Sequence, residues 1–269
     1  MKTGGSELNG PMGITGADRL ELQRAKRLLE KRGLAVRIAD AVGTPVEKLL
    51  AALPDNAAQM IQAATAKSLN AALRAVVSQM NDAPKPPAQW MHTLAVATTG
   101  AVGGAFGLAT LAVELPVSTV IMLRSIADIA RSEGQSVKRV EVQLACVEVF
   151  ALGGPSRSDD AAESAYFTVR AALAQTMAEA ARHIAERGLA GGAAPALIRL
   201  TSQVAARFGI PVTEKVMAQS VPVLGAAGGA LINVLFIRHF QDLARGHFIV
   251  RRLEAVYGQD AVRAAYLAM

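Results

Sequence analysis

The sequence predicts an all-α fold: a single multi-helix, bundle-like domain with two glycine-rich apolar segments at its centre. Apolar residues make up 52% of the 269 residues but aromatic residues only 4%, so most apolar side chains belong to Ala, Val and Leu. In several segments these side chains recur at helical spacing. Alternation of apolar and polar residues does not persist anywhere, and no Asn-Gly or Asp-Gly pair joins two apolar runs. Strands are therefore not expected.

Glycines and prolines divide the chain into a tail, a set of N-terminal helices and a core. Residues 1–16 contain five glycines, which make ordering costly and predict a disordered tail. Residues 17–269 are predicted to form one helical domain, whose N-terminal helices occupy residues 17–80. Three prolines in residues 81–88 predict a linker, because proline cannot continue a helix. The glycine-rich helical core is then predicted over residues 89–269.

Capping residues predict where the first helices begin and end. Thr15 and Asp18 stand at capping-box spacing, which predicts a helix from about Asp18 to Arg32. Leu20 is expected on its apolar side, together with two later leucines. A short second helix is predicted to end near Gly43.

The next two helices are predicted from a Thr-Pro dipeptide and from an amphipathic pattern. Thr44 and Pro45 are suited to the N-cap and first turn of a helix through Leu53, and Asp55 can cap the helix after it. That later helix is predicted to run to about Met80 with two distinct sides. Its apolar side holds Leu69, Leu73, Val76, Val77 and Met80, and its polar side holds Lys67, Asn70, Arg74 and Ser78.

Three further helices are predicted in the C-terminal part of the chain. The first runs from Lys138 to Leu152 after Ser136 as a candidate cap, and the second runs to Arg187, with Gly188 just past its end. The third is expected to end at Gly209–Pro211, since proline breaks a helical run.

Two glycine-rich segments resemble each other and are each followed by the same charge pattern. Glycine and alanine at three- and four-residue spacing form a smooth stripe that lets helices approach closely. In Arg-x-x-x-Asp-x-x-Arg the three charges share one helical face, so the aspartate can pair with both arginines. The first segment and its charges are Gly100, Gly103 and Gly104 with Arg124, Asp128 and Arg131. The second segment and its charges are Pro222, Gly225, Gly228, Gly229 and Asn233 with Arg238, Asp242 and Arg245.

Each glycine-rich segment lies in a long stretch without Asp, Glu, Lys or Arg, over residues 90–113 and 216–237. Both stretches reach the roughly 20 residues that a membrane-spanning helix needs. Glu114 and Pro116 interrupt the first, and Pro222 and Asn233 disfavour insertion of the second. Buried core hairpins are therefore the preferred interpretation, and membrane spans are the alternative.

Charge and composition disfavour several functional classes. The net charge is +6, but basic and acidic residues are interleaved and aromatic residues are few, so no nucleic acid partner is expected. The start of the chain lacks the apolar segment of a signal peptide. We therefore expect a cytoplasmic protein, with a peripheral position at the inner face of the cell membrane as one option.

No catalytic, cofactor-binding or metal-binding residue is assigned from motifs. Cys146 lies in an apolar helix and is interpreted as a buried structural thiol. His239 and His247 are eight residues apart, which is not the spacing of a helical metal pair. Asn233 is the best internal polar candidate, with a core amide bonded to a backbone carbonyl as the simpler interpretation. The chain contains no Gly-x-Ser-x-Gly and no phosphate-binding loop.

The two glycine-rich segments and their continuations resemble the EcsC family of bacterial proteins over about residues 18–265. The resemblance is carried by residues 99–104, 115–116 and 123–130 in the first segment, by residues 221–233 and 236–238 in the second, and by residues 46–50 near the N-terminus. It implies a helical, membrane-associated accessory role beside a transport system linked to secretion.

The resemblance implies no catalytic residues. Some family members have been labelled peptidases, but this sequence shows no motif for that activity. The leading expectation is a non-enzymatic accessory or interaction protein whose partner is a membrane surface or a membrane transport complex. A hydrolase without a recognisable motif and a carrier for a lipid or other apolar ligand are the alternatives.

Overall fold

The computed structural model describes residues 13–43, 57–79, 111–154, 162–188, 194–219 and 225–269. Regular structure in these ranges is entirely α-helical, which confirms the predicted all-α fold. The helices are α1 (Gly16–Leu29), α2 (Leu34–Val42), α3 (Ala57–Gln79), α4 (Leu111–Ser132), α5 (Val140–Leu152), α6 (Ala162–Arg187), α7 (Pro195–Gln219), α8 (Gly225–Tyr257) and α9 (Gln259–Leu267).

Several predictions from the sequence lie outside the described residues. They are the tail up to residue 12, the helix from Thr44 to Leu53, the cap at Asp55, the linker at residues 81–88, the first glycine-rich segment with Gly100, Gly103 and Gly104, and Pro222.

The predicted cap of α1 is present, but its predicted apolar side is wrong in one position. The Thr15 hydroxyl accepts a hydrogen bond from the Asp18 N–H at 3.3 Å, as the capping-box spacing predicts. The helix ends at Leu29 rather than at residue 32. Leu20 is 65% exposed, whereas Leu22 and Ala25 are buried against α8. Leu20 lies about 200° around the helix from Leu22, so the two side chains are on opposite sides of α1.

The amphipathic pattern of α3 is confirmed where the side chains are described. Leu69, Leu73 and Val76 are buried. The opposite side is exposed and holds Lys67, Asn70 and Arg74. α3 packs its apolar side against α4 and α7.

Two prolines that were expected to interrupt or end helical segments lie inside continuous helices. Pro116 is in α4, and Pro211 is in α7, which runs on to Gln219. A proline has no N–H to donate, so the carbonyl four residues earlier loses its helical partner. For Pro116 that carbonyl belongs to Ala112, and the Lys67 ammonium of α3 donates to it at 3.3 Å. Tertiary contacts thus compensate the local cost of the proline.

The principal core lies between α4, α5, α7 and α8. α5 is buried on nearly all sides, so it forms the inner helix of the bundle. Four phenylalanines interlock where α5, α7 and α8 meet, and their ring centroids lie 4.8–6.1 Å apart. They are Phe150, Phe208, Phe236 and Phe240. A smaller cluster joins α1, α6, α9 and the C-terminal half of α8.

Within the described ranges, no helix is at once long enough and apolar enough to cross a membrane.

Candidate functional site

α4 and α8, the helices that follow the two glycine-rich segments, pack against each other and run in the same direction. The Asn233 amide donates to Glu114 at 3.0 Å, and further along the Gln241 amide donates to Ser125 at 2.8 Å. The contact positions increase together along both helices, which defines a parallel pair. α7 runs the other way, because its Phe208 meets Phe240 while its later residue Lys215 lies over the Phe236 ring.

The repeated charge pattern has the same burial in both helices. Arg124 and Arg238 are exposed, and the aspartate and second arginine of each pattern are half-buried. Asp128 forms an ion pair with Arg131, and Asp242 lies 3.7 Å from Arg245. Asp242 also accepts from the Lys31 ammonium at 2.8 Å, so the second pattern joins α8 to the loop after α1.

Each of the two helices is followed by a glycine with a positive φ, although at different distances from the charge pattern. Gly134 follows α4 with a φ of 77°, three residues after Arg131, and Gly258 follows α8 with a φ of 85°, thirteen residues after Arg245. Side chains rarely adopt this part of backbone space, so glycine ends each helix at little cost. The two echoed regions therefore share helix direction and charge exposure.

One end of the bundle collects the ends of both charge-free stretches. α4 begins there at Leu111, α8 begins there at Gly225, and α7 ends there at Gln219. We call it the low-charge end. Gly228 is half-buried and Gly229 is buried in the first turns of α8.

Exposed apolar side chains at the low-charge end are followed by exposed arginines. Val113 is 69% exposed, Val117 46% and Leu231 42%. Arg124 lies seven residues after Val117, and Arg238 lies seven residues after Leu231, on the same helix faces. Seven residues correspond to about 10 Å along a helix. Each helix therefore presents an apolar tip with a guanidinium behind it.

A buried ion pair lies beneath this end. The Lys215 ammonium is 0% exposed, and it donates to the Glu114 carboxylate at 2.7 Å. Asn233 is the third member and donates to the same carboxylate oxygen. The expectation of a backbone partner for Asn233 missed this side-chain contact. We call Glu114, Lys215 and Asn233 the ion-pair cluster.

Sequence reasoning missed Lys215 and did not assign Glu114 to a site. Their signal was present, because each borders a long stretch without charged residues, although Lys215 is directly preceded by Glu214. Which charges pair is decided by the packing of three helices, so spacing within one helix could not identify them.

A second buried polar network surrounds His247 in the C-terminal half of α8. The Tyr166 hydroxyl lies 3.0 Å from His247 Nδ1, and His247 Nε2 is 3.5 Å from the Glu148 carboxylate. Arg170 donates to Tyr166 at 3.3 Å and binds both oxygens of Glu254, at 2.6 and 2.8 Å. We call these five residues the histidine network.

Burial sets the protonation of the histidine network. It lowers the pKa of His247 well below the ordinary value, and nearby Arg170 and Arg251 lower it further. Burial also raises the pKa of Glu148, against the effect of the same two arginines. The imidazole is therefore neutral at physiological pH.

The thiol of Cys146 is 0% exposed, as the apolar pattern predicts. Burial raises its pKa to about 12, so it carries no thiolate at neutral pH.

A long surface groove of about 1250 Å³ separates the outer faces of α3 and α7. We call it the α3–α7 groove. Its described lining is mostly alanine, isoleucine, leucine and threonine. The charged residues among them are Lys67 and Arg74, both on α3, and none of the described lining residues is acidic.

Comparison with known proteins identifies one family. The model of the EcsC protein family matches residues 17–253 of the chain. No curated protein matches the chain, and no solved structure matches it.

Proposed function

Because the chain belongs to the EcsC protein family, we propose that it is a non-enzymatic accessory protein that acts at the surface of an anionic membrane. The low-charge end faces the lipid in this proposal. The observation that carries it is the parallel packing of α4 and α8, which brings the ends of both charge-free stretches to one end of the bundle.

The exposed side chains at this end suit an interfacial position. An amphipathic surface inserts apolar side chains about 5–10 Å into the boundary between headgroups and acyl chains. Val117 and Leu231 would insert there, and Arg124 and Arg238 would lie at the level of the phosphates. Cations near an anionic surface contribute about 1 kcal/mol each.

The ion-pair cluster explains why this end stays part of the bundle. Lys215 and Glu114 neutralise each other below the surface, so neither leaves an unpaired charge in the core beneath the apolar tips.

The non-enzymatic character is supported by the burial of the titratable groups. His247 has tyrosine and glutamate neighbours, an arrangement also found in proton-transfer sites. It is 0% exposed, and it is not among the described residues that line the α3–α7 groove. Such a network suits a structural role better than turnover of a substrate.

The partner in this proposal is a membrane transport complex, which a protein docked at the lipid surface could reach by diffusion in two dimensions. The role linked to transport or secretion is tested by cross-linking in intact cells, with the docking variants below as the comparison.

Flotation on vesicles tests the membrane proposal. Wild-type protein should float with vesicles of equal parts phosphatidylglycerol and phosphatidylcholine at low salt. It should be released at about 1 M salt, where charges are screened within ~3 Å. The double variant Val117→Asp/Leu231→Asp should not float, because it puts carboxylates where apolar side chains insert.

Matched control variants change the same residue types elsewhere. Val256→Asp alters a more exposed valine, 68% exposed, at the other end of α8, and Arg19→Glu alters an exposed arginine of α1. Both should float like wild type, whereas Arg124→Glu/Arg238→Glu should not. Wild-type protein that stays unbound at low salt contradicts the proposal. If Val256→Asp loses as much flotation as Val117→Asp/Leu231→Asp, the low-charge end is not the surface that contacts lipid.

A further inference from the structure

We infer that the α3–α7 groove binds one anionic phospholipid, with its acyl chains along the groove and its phosphate at Lys67 and Arg74. This inference goes beyond the proposed function, because surface docking needs no lipid held inside the protein. It depends on the chemistry of the groove lining, its charge and its size.

The groove is more apolar than its residue types suggest. The hydroxyl groups of Thr65, Thr201 and Thr213 each donate to a carbonyl four residues earlier in their own helix, at 2.7–2.9 Å. Their hydrogen bonds are thus satisfied within α3 and α7, and the methyl groups remain as contact surface. Ile198 and Ile210 are exposed on the α7 side. An acyl chain is complementary to such a surface, and the other polar side chains of the described lining are Gln62, Asn70 and Ser202 besides the two cations.

The charges of the groove select an anionic head group. Lys67 and Arg74 are seven residues apart on one face of α3, and the described lining contains no carboxylate that would repel an anion. An arginine binds a phosphate through two parallel hydrogen bonds, and a lysine adds a compact charge. Lys67 also donates to the Ala112 carbonyl at the start of α4, so its ammonium is held near the low-charge end.

The size of the groove favours a lipid with two chains. Its volume of about 1250 Å³ exceeds the roughly 300–1,000 Å³ of common small-molecule sites. With the phosphate at Lys67 and Arg74, the α3 lining from Lys67 back to Ala58 leaves about 14 Å for the acyl chains, at ~1.5 Å per residue. One leaflet of a bilayer contributes about 15 Å of the ~30 Å hydrocarbon core. The length left for the acyl chains is therefore close to the thickness of one leaflet.

The experiment measures lipid retained by the full-length protein after gel filtration. The protein is mixed with dioctanoyl phosphatidylglycerol below its micelle concentration, so that uptake does not require membrane docking. Bound phospholipid is counted by mass spectrometry. We expect about one molecule per chain, and at least about tenfold less retention in the charge reversal Lys67→Glu/Arg74→Glu. Both side chains are exposed, but Lys67→Glu also removes the bond to the Ala112 carbonyl, so a thermal melt of this variant checks that the fold is intact.

Two tryptophan variants separate the groove from the rest of the surface. Ala206→Trp fills the groove from α7 and should lower retention by about tenfold. Ala174→Trp adds the same side chain at an exposed position of α6 outside the groove lining and should retain lipid like wild type. Thermal melts of both variants check that the fold is intact.

Each outcome bears on the inference separately from the membrane proposal. Val117→Asp/Leu231→Asp should lose flotation yet retain dioctanoyl phosphatidylglycerol, and Ala206→Trp should show the reverse. Phosphatidylcholine retained as well as phosphatidylglycerol would overturn the anionic selectivity. Palmitate retained in preference to phospholipid would overturn the assignment of a two-chain lipid. No retention by wild-type protein, or full retention by Ala206→Trp, would overturn the site.

Discussion

The two halves of α8 each contribute to a buried polar cluster. One cluster contains a salt bridge, and the other surrounds a neutral histidine. In the N-terminal half, Asn233 joins a salt bridge in which Lys215 and Glu114 are 2.7 Å apart. In the C-terminal half, His247 and Glu148 are 3.5 Å apart, and burial opposes the charged form of both.

The difference shows that a charged side chain in a core without water needs an opposite charge at hydrogen-bond distance. An ammonium and a carboxylate at hydrogen-bond distance offset much of their shared desolvation cost. His247 has no such contact, and the positive charges of Arg170 and Arg251 nearby also disfavour its protonation. The N-terminal half of α8 therefore depends on a charge pair, and the C-terminal half depends on packing and on hydrogen bonds around a neutral imidazole.

The largest expected effect is the loss of one member of the ion-pair cluster. Lys215→Met leaves Glu114 buried without its cation and should lower the free energy of unfolding by about 3–5 kcal/mol. Urea denaturation followed by circular dichroism measures it. The double variant Lys215→Met/Glu114→Gln should recover most of that loss, since an amide is neutral and still accepts from Asn233. If Lys215→Met is as stable as wild type, the N-terminal half of α8 does not depend on its charge pair, and the proposed difference between the two halves is wrong.

A smaller effect is expected in the histidine network. Arg170→Met removes both hydrogen bonds to Glu254 and the bond to Tyr166, and should cost about 2–3 kcal/mol. The loss should be smaller than for Lys215→Met, because the Arg170 and Glu254 side chains are 15% and 8% exposed. The same denaturation experiment compares them. A cost above that of Lys215→Met would reverse the ranking of the two clusters.

A close contact between two helices lies in the C-terminal half of α8. A Cβ on Gly246 would lie 2.6 Å from Leu29 Cγ and 3.0 Å from the Ala25 carbonyl oxygen, so α1 touches α8 there. Gly246→Ala should destabilise the protein by about 1–3 kcal/mol.

The matched control for Gly246→Ala is Gly209→Ala in α7, where no neighbouring atom lies within 4 Å of the added Cβ. It should be neutral, or stabilising by up to about 1 kcal/mol. Thermal melts of both variants measure the difference. Equal melting temperatures would mean that α1 moves away from α8 and accommodates the added methyl group at no cost in stability.

The smallest expected effect is on the pH dependence of stability. His247 has a lowered pKa in the folded protein, so its contribution is complete above the ordinary value of 6.5 and is lost as the pH falls below it. Glu148 acts in the opposite sense: its pKa is raised, so its contribution is lost as the pH rises above 4.5.

His247→Gln should therefore lose less stability than wild type between pH 7 and pH 5. Denaturation midpoints of wild type and His247→Gln at several pH values measure this difference. A wild-type profile in His247→Gln would mean that folding does not lower the pKa of His247.

Local sequence patterns were sufficient to predict most helices, but they gave the wrong prediction at two prolines. Thr15 as a cap and the two sides of α3 are encoded within one or two turns, so sequence alone predicted them. Pro116 and Pro211 are strong local signals against a helix, yet both lie within helices. Contacts from other helices decided these positions, as the Lys67 bond to the Ala112 carbonyl illustrates.

The candidate site was predicted in part. The repeated glycine and charge patterns predicted that the two regions correspond, and α4 and α8 share direction and exposure pattern. Close approach was expected at the glycine-rich segments. That expectation stays a prediction for the stripe glycines; outside the stripes, a close approach is found at Gly153 and Gly246.

The sequence by itself determined that this chain is helical, which helices are amphipathic, and where two similar regions occur. Propensity, capping and apolar spacing act within a few residues, so they can be read along the chain. Only the tertiary structure decided which charges meet in the core, which face of α1 is buried, and that α3 and α7 leave a groove between them. Pairing of Glu114 with Lys215 joins residues 101 positions apart. Such contacts arise from helix packing, whose geometry no local pattern specifies.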